Sequence, residues 1–97
     1  MTELRFEWDA RKSRANLSKH GVSFEEASTV FHDASAVQFL DPDHSEDEDR
    51  FILLGVSLRL RILVVCHCFR ESEAVVRIIS ARRADKGEEA DYWRRRS

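Results

Sequence analysis

Long hydrophobic runs are what this 97-residue chain most clearly lacks. Its longest apolar stretch, Ile62–Cys66, falls far short of the roughly 20 residues a membrane-spanning helix needs. The opening MTELRFEWD carries early charges and no apolar core, so no signal peptide is expected and the cytoplasm is the expected compartment. Cysteine is scarce. Cys66 and Cys68 in VCHCF lie two apart on an expected strand, facing one side, where a disulfide would be strained. Reduced, buried thiols fit a cytosolic chain better. Metal-ligand spacing is missing too: one C-x-C stands apart from the scattered His20, His32 and His44, whereas structural zinc sites pair ligands at short, regular intervals. No metal and no other cofactor is expected. Repeats and low-complexity linkers are absent, and the length suits a single domain over residues 1–97 with a modest core.

Charge of one sign is missing locally rather than globally. The net charge is −2 and the isoelectric point near 6.1, which on its own speaks against nucleic acid. Yet the segment DPDHSEDED, 41–49, holds six carboxylates and no lysine or arginine; without it the net charge moves from −2 to +4. One acidic loop on a mildly basic body is a different object from an acidic protein.

The pattern of residues predicts an α+β domain. RFEW is a candidate edge strand. Asp9 stands as an N-cap to a helix over ARKSRANLSKH, which Gly21 ends. SFEE is a capping box that opens a second helix through about His32, with Phe24, Ala27, Val30 and Phe31 on its core face. SAVQFLD reads as a strand before the acidic loop. RFILLGV and RLRILVVCHCF are two strong strands with a turn around Gly55–Leu58, EAVVRIISAR is another, and RADKGEEADYWRRR closes the chain as a helix. Two N-terminal helices, a mostly antiparallel sheet of about four strands and a C-terminal helix are therefore expected.

Several residues carry candidate chemistry. Arginine is seldom buried without a partner, yet VVRIISARRAD places Arg77 and Arg82 on an expected strand. The planar guanidinium matches phosphate bidentately; the alternative is an internal pair with Glu88, Asp85 or Glu48. Strict alternation would point the two arginines to opposite faces, so they converge only if the strand ends or bulges near Ser80. Arg61 and His67 fall on one strand face at opposite ends of an apolar patch. His67 is either a general acid or base or a satisfied core residue. The first helix has no acid after Asp9 but carries Arg11, Lys12, Arg14 and Lys19 beside Trp8. That is either an RNA-facing surface with an aromatic for stacking or a solvated face. Glu88 and Tyr92, four residues apart, form either a catalytic pair or a helix-to-sheet contact.

Taken together, FEWD at 6–9, Lys12, Asn16, KHGVSFEEA at 19–27, VF at 30–31, Glu48, Arg50, Gly55, RIISAR at 77–82, Ala84, Glu88 and Tyr92 make the chain resemble the BrnT toxin family over nearly its whole length. The resemblance implies a RelE-like fold and the toxin half of a type II toxin–antitoxin pair. It implies RNA cleavage, translational arrest, and neutralisation by a small ribbon-helix-helix antitoxin. DNA is then contacted only through the toxin–antitoxin complex, in an assembly such as a hetero-tetramer, and no membrane is involved. The candidate catalytic set is Lys12, His67, Arg77, Arg82, Glu88 and Tyr92, with base and acid left open among His67, Glu88 and Tyr92. The candidate RNA contacts are Trp8, Arg11, Arg14, Lys19, Arg50 and Arg61, with Arg50 serving phosphate or pairing with Glu48. Such chemistry needs no metal: the RNA 2′-hydroxyl attacks its own phosphorus, and the protein positions the groups, moves protons and stabilises charge. The competing expectations are a non-catalytic RNA-binding module and a protein-interaction domain whose basic face serves an acidic partner.

Overall fold

The computed structural model describes residues 4–41, 43, 49–70 and 74–96. Strand β1 (Arg5–Glu7) leads to helices α1 (Ala10–His20) and α2 (Phe24–Thr29), the latter extended by a 3-10 turn over Val30–His32. Strands β2 (Val37–Asp41), β3 (Arg50–Val56), β4 (Ile62–Arg70) and β5 (Val75–Arg83) follow, then helix α3 (Lys86–Arg96). The sheet has five strands in the order β1-β5-β4-β3-β2, against about four expected; the candidate edge strand RFEW is the fifth, at one edge as β1. Only the β1–β5 pairing is parallel; the other three are antiparallel.

Local chemistry accounts for the helix ends. The Asp9 carboxylate accepts from the Lys12 N–H at 3.0 Å and opens α1. Gly21, in the left-handed region at φ 69°, closes α1 by donating to the Leu17 carbonyl, a conformation that costs glycine little. Ser23 accepts from the Glu26 N–H at 3.0 Å. The reciprocal half of that expected box is not made, because the Glu26 carboxylate faces the sheet and accepts from Arg61 and Ser57 instead. A complete box stands where none was expected: Glu88 N–H donates to Asp85 at 2.8 Å, and Asp85 N–H donates back to Glu88 at 2.9 Å. The last helix accordingly begins at Lys86, and Arg83 ends the strand before it.

Two apolar layers sandwich the sheet. Val22, Phe24, Ala27 and Val30 from the α1–α2 side pack on Leu53, Leu63, Val65, Val76, Ile78 and Ala81. On the other face Tyr92 of α3 packs on Leu54, Ile62 and Val64. Gly55 lies inside β3, not in the expected turn, which runs over residues 57–60. A Cβ at Gly55 would meet Ala36 Cβ and Val30 Cγ1 at 2.8 Å, so glycine here admits a close crossing rather than a reversal.

Candidate functional site

The position of the arginines follows from one extra residue. Cys66 pairs with Ser80 across β4–β5, but His67 pairs with Ile78, so Ile79 bulges out of register. Before the bulge Val76 and Ile78 face the helices; after it Ala81 does. Arg77, Ser80 and Arg82 consequently share the opposite face, which a regular strand would forbid. They do not meet at one point. Arg77 pairs with Cys68 and Arg82 with Val64, about 13 Å apart along β4 at roughly 3.3 Å per residue.

On this face, beside α3, lies a cleft of about 250 Å³. Its floor is Ile52 and Val64; Arg50 from β3, Cys66 from β4 and Ser80 and Arg82 from β5 line it, with His20 and Asp41 at its borders. His20 reaches the cleft because α1 runs along the part of the β5 edge that β1 leaves open. There Asn16 acts as a substitute strand: its amide donates to the Ala81 carbonyl at 2.8 Å and accepts from the Ala81 N–H at 3.1 Å. His20 lies one turn further along the same helix face. Burial pushes the Cys66 thiol up, and the nearby Asp41 adds to this, so the thiol stays protonated.

Both strand arginines have internal partners. Arg82 grips Glu88 through two parallel bonds, Nη1 to Oε1 at 2.8 Å and Nη2 to Oε2 at 2.9 Å. The Arg82 hydrogen bonds hold the Glu88 carboxyl below its ordinary value. Arg77 donates to Glu7 at 2.7 Å, a carboxylate that Arg70 also approaches at 3.8 Å. Arg50 forms no ion pair among the described residues. Only Asp41, Asp43 and Asp49 of the acidic segment 41–49 are described, so Glu48 as a partner of Arg50 lies outside them.

Four residues expected at the site serve the scaffold instead. His67 is fully buried among Phe31, Phe51 and Phe69, and its two ring nitrogens are bonded to the Val65 carbonyl and the Gln38 side chain. Burial lowers its pKa, favouring the neutral ring. Tyr92, also fully buried, donates to Asp33 at 2.6 Å and is the helix-to-sheet contact, its pKa raised by burial and then by that bond. Trp8 packs edge-on against Phe24 at 6.0 Å in the helix-side core rather than standing free for a base. Arg61 donates to Glu26 at 2.9 Å and to the Gly21 carbonyl at 3.0 Å on the helix-covered face. By contrast Arg11, Lys12, Arg14 and Lys19 are exposed on α1; the Asp9 carboxyl at the head of that helix is held below its ordinary value chiefly by the Lys12 N–H, with the charge of Arg77 the smallest contribution. His20 was legible only as the residue beside a helix-ending glycine; nothing local shows that it borders a cleft with Arg50 and Arg82.

Among the described residues no cluster of three or more His, Cys, Asp or Glu side chains forms a metal site. No helix among them is long and apolar enough to cross a membrane.

Fold and cleft define a class: a small α+β protein whose five-stranded sheet carries arginines on a partly open face. Residues 8–88 match the family model described as "Ribonuclease toxin, BrnT, of type II toxin-antitoxin system". The chain belongs to this family, which brings with it ribonuclease activity and an antitoxin partner. A solved relative in fold is the Brucella abortus ribonuclease toxin BrnT, with a TM-score of 0.63 and 24% identity, covering 86% of this chain and 99% of that one. Among curated proteins none is significantly similar in sequence.

Proposed function

We propose that this chain is a metal-independent endoribonuclease of the cytoplasm that arrests translation, and that it holds the scissile phosphate in the cleft between Arg50 and Arg82. The observation that carries the reading is the Ile79 bulge, which brings Ser80 and Arg82 onto the face of Arg50 at a cleft of about 250 Å³. The Arg82–Glu88 fork supports it. Two carboxylate oxygens occupy the positions that two phosphate oxygens would take, at an exposed site where the pair itself contributes little. Phosphate replaces Glu88 there, so an internal pair and an external anion are successive states of one guanidinium.

RNA then runs along the open face from the cleft toward Arg77, with Lys12, Arg11, Arg14 and Lys19 on α1 as further backbone contacts. The 2′-hydroxyl oxygen attacks the adjacent phosphorus in line, the bond to the 5′ oxygen breaks, and the products end in a 2′,3′-cyclic phosphate and a 5′-hydroxyl. Arg50 and Arg82 stabilise charge on the phosphoryl oxygens. A ribbon-helix-helix antitoxin silences the toxin in a hetero-tetramer, and contact with DNA comes through that complex alone.

Purified protein incubated with naked RNA and a chelator tests this reading. Discrete cuts with cyclic-phosphate and 5′-hydroxyl ends are expected; RNA left intact until a divalent ion or ribosomes are supplied would overturn it in the form given.

A further inference from the structure

We infer that His20 is the proton acceptor of the cleavage reaction, the base that takes the 2′-hydroxyl proton. This rests on the proposed ribonuclease reading and deepens it. The reaction needs a group that accepts a proton near neutral pH, and the cleft offers few. Arg50 and Arg82 carry no acceptor at any working pH. Cys66 is held as a thiol by its burial. Glu88 does not line the cleft, and when phosphate takes its place on Arg82 it still accepts from the Asp85 N–H. His67 and Tyr92, with no exposed surface, cannot touch a substrate. Imidazole is the side chain suited to exchange protons near neutrality, and His20 is the imidazole that lines the cleft, half-buried at the end of α1.

Its placement is fixed from both ends of the helix turn. Asn16, one turn back, is tied to Ala81 on β5 and to the Val22 carbonyl at 2.9 Å. Gly21, the next residue, donates its N–H to the Leu17 carbonyl, and its own carbonyl accepts from Arg61. The ring is thereby set beside a rigid strand, as a base needs to be. Charged and titratable groups sharing the cleft are Asp41 from β2, Arg50 from β3, Cys66 from β4 and Arg82 from β5, with Lys19 beside His20 on its own helix. Of these, Asp41 is the one rival acceptor.

The step balances as follows. His20 takes the 2′-hydroxyl proton while the 2′ oxygen bonds to phosphorus. The bond from phosphorus to the 5′ oxygen breaks, its electron pair stays on that oxygen, and water supplies its proton. The phosphoryl charge rests on Arg50 and Arg82 throughout.

The test is the pH dependence of kcat/KM for cleavage of a short RNA by the full chain, with binding of the same RNA carrying a 2′-deoxy scissile nucleotide measured in parallel. Wild type should show an acidic limb, the rate falling as the base becomes protonated. His20→Asn should lose that limb and slow cleavage on the order of 10² to 10⁴-fold, with deoxy-RNA affinity changed less than about threefold and the circular dichroism spectrum unchanged. In His20→Ala, added imidazole should restore part of the rate, a rescue that a purely structural role would not show. A folded His20→Asn that keeps both rate and limb overturns the inference while leaving the ribonuclease reading intact. So does an Asp41→Asn variant that removes the limb. Wild-type protein that cuts no RNA removes both.

Discussion

Two arginine–carboxylate pairs in this molecule look alike in a contact diagram and do different things. Arg61 and Glu26 meet on the helix-covered face with side chains 21% and 4% exposed. Arg82 and Glu88 meet beside the cleft at 44% and 31%. In the first pair the carboxylate cannot be rehydrated, and it also accepts from Ser57 at 2.7 Å, so the pair joins α2 to the β3–β4 turn. In the second, water can replace either partner at small cost, and so can another anion. A buried pair holds the fold; an exposed fork at the rim of a cleft is, under the proposed function, a resting state that substrate displaces. Burial, not the presence of a partner, separates a structural arginine from one available to substrate.

That contrast can be broken experimentally, and the largest effect belongs to Arg61. Arg61→Ala leaves Glu26 charged and buried, at a cost of about 3–5 kcal/mol, a large share of the ~5–15 kcal/mol that holds such a domain together. Urea unfolding measures it; a loss under about 1 kcal/mol would place this pair in the same class as the exposed one. The same pair governs acid stability. Hydrogen bonding from Arg61 holds the Glu26 carboxyl below its reference value of 4.5. Its contribution is therefore complete above about pH 4.5 and is lost as pH falls through the lower folded value. Glu26→Gln should flatten that part of the stability–pH curve.

Next in size is Arg82→Ala. Cleavage should fall on the order of 10² to 10³-fold, while stability changes by about 1 kcal/mol or less; the reverse pattern would make Arg82 a structural residue. Glu88→Gln sharpens the same point. With the competing charge removed, RNA binding should tighten about two- to fivefold, the gain expected from releasing an exposed pair of a few tenths to about 1 kcal/mol, and cleavage should persist. Abolished cleavage would instead mark Glu88 as a catalytic group. The smallest effect is expected at Glu7→Gln, where the partner Arg77 stays partly hydrated: about 0.5 kcal/mol or less in thermal unfolding.

Much of the fold was legible because its signals are local. Asp9 and Gly21 mark the bounds of α1, and Ser23 with Phe24, Ala27 and Val30 marks the start and the buried face of α2. The α+β order and the antiparallel pairing follow from strand spacing and short connections. What failed to show depends on contacts far apart in sequence. Gly55 reads as a turn residue, yet it is required by Ala36 and Val30 crossing over β3. Period-two counting sorted His67 from its neighbours correctly, but could not say that its face would be sealed by Phe31, Phe51 and Phe69. The bulge at Ile79 has no glycine to announce it, although the sequence did state the condition under which Arg77 and Arg82 share a face. Partners 35 residues apart, such as Glu26 and Arg61, and the passage of His20 along the β5 edge through Asn16, emerge only in three dimensions.

The central claim, that guanidinium groups at the cleft hold an RNA phosphate, is tested most directly by the salt dependence of binding to a non-cleavable RNA. Each phosphate contact on a single strand contributes about 0.7 to the slope of log affinity against log salt. Replacing both Arg50 and Arg82 by alanine removes the hold on that one phosphate and should reduce the slope by about 0.7, with the protein still folded by circular dichroism. An unchanged slope in the folded double variant would contradict the account.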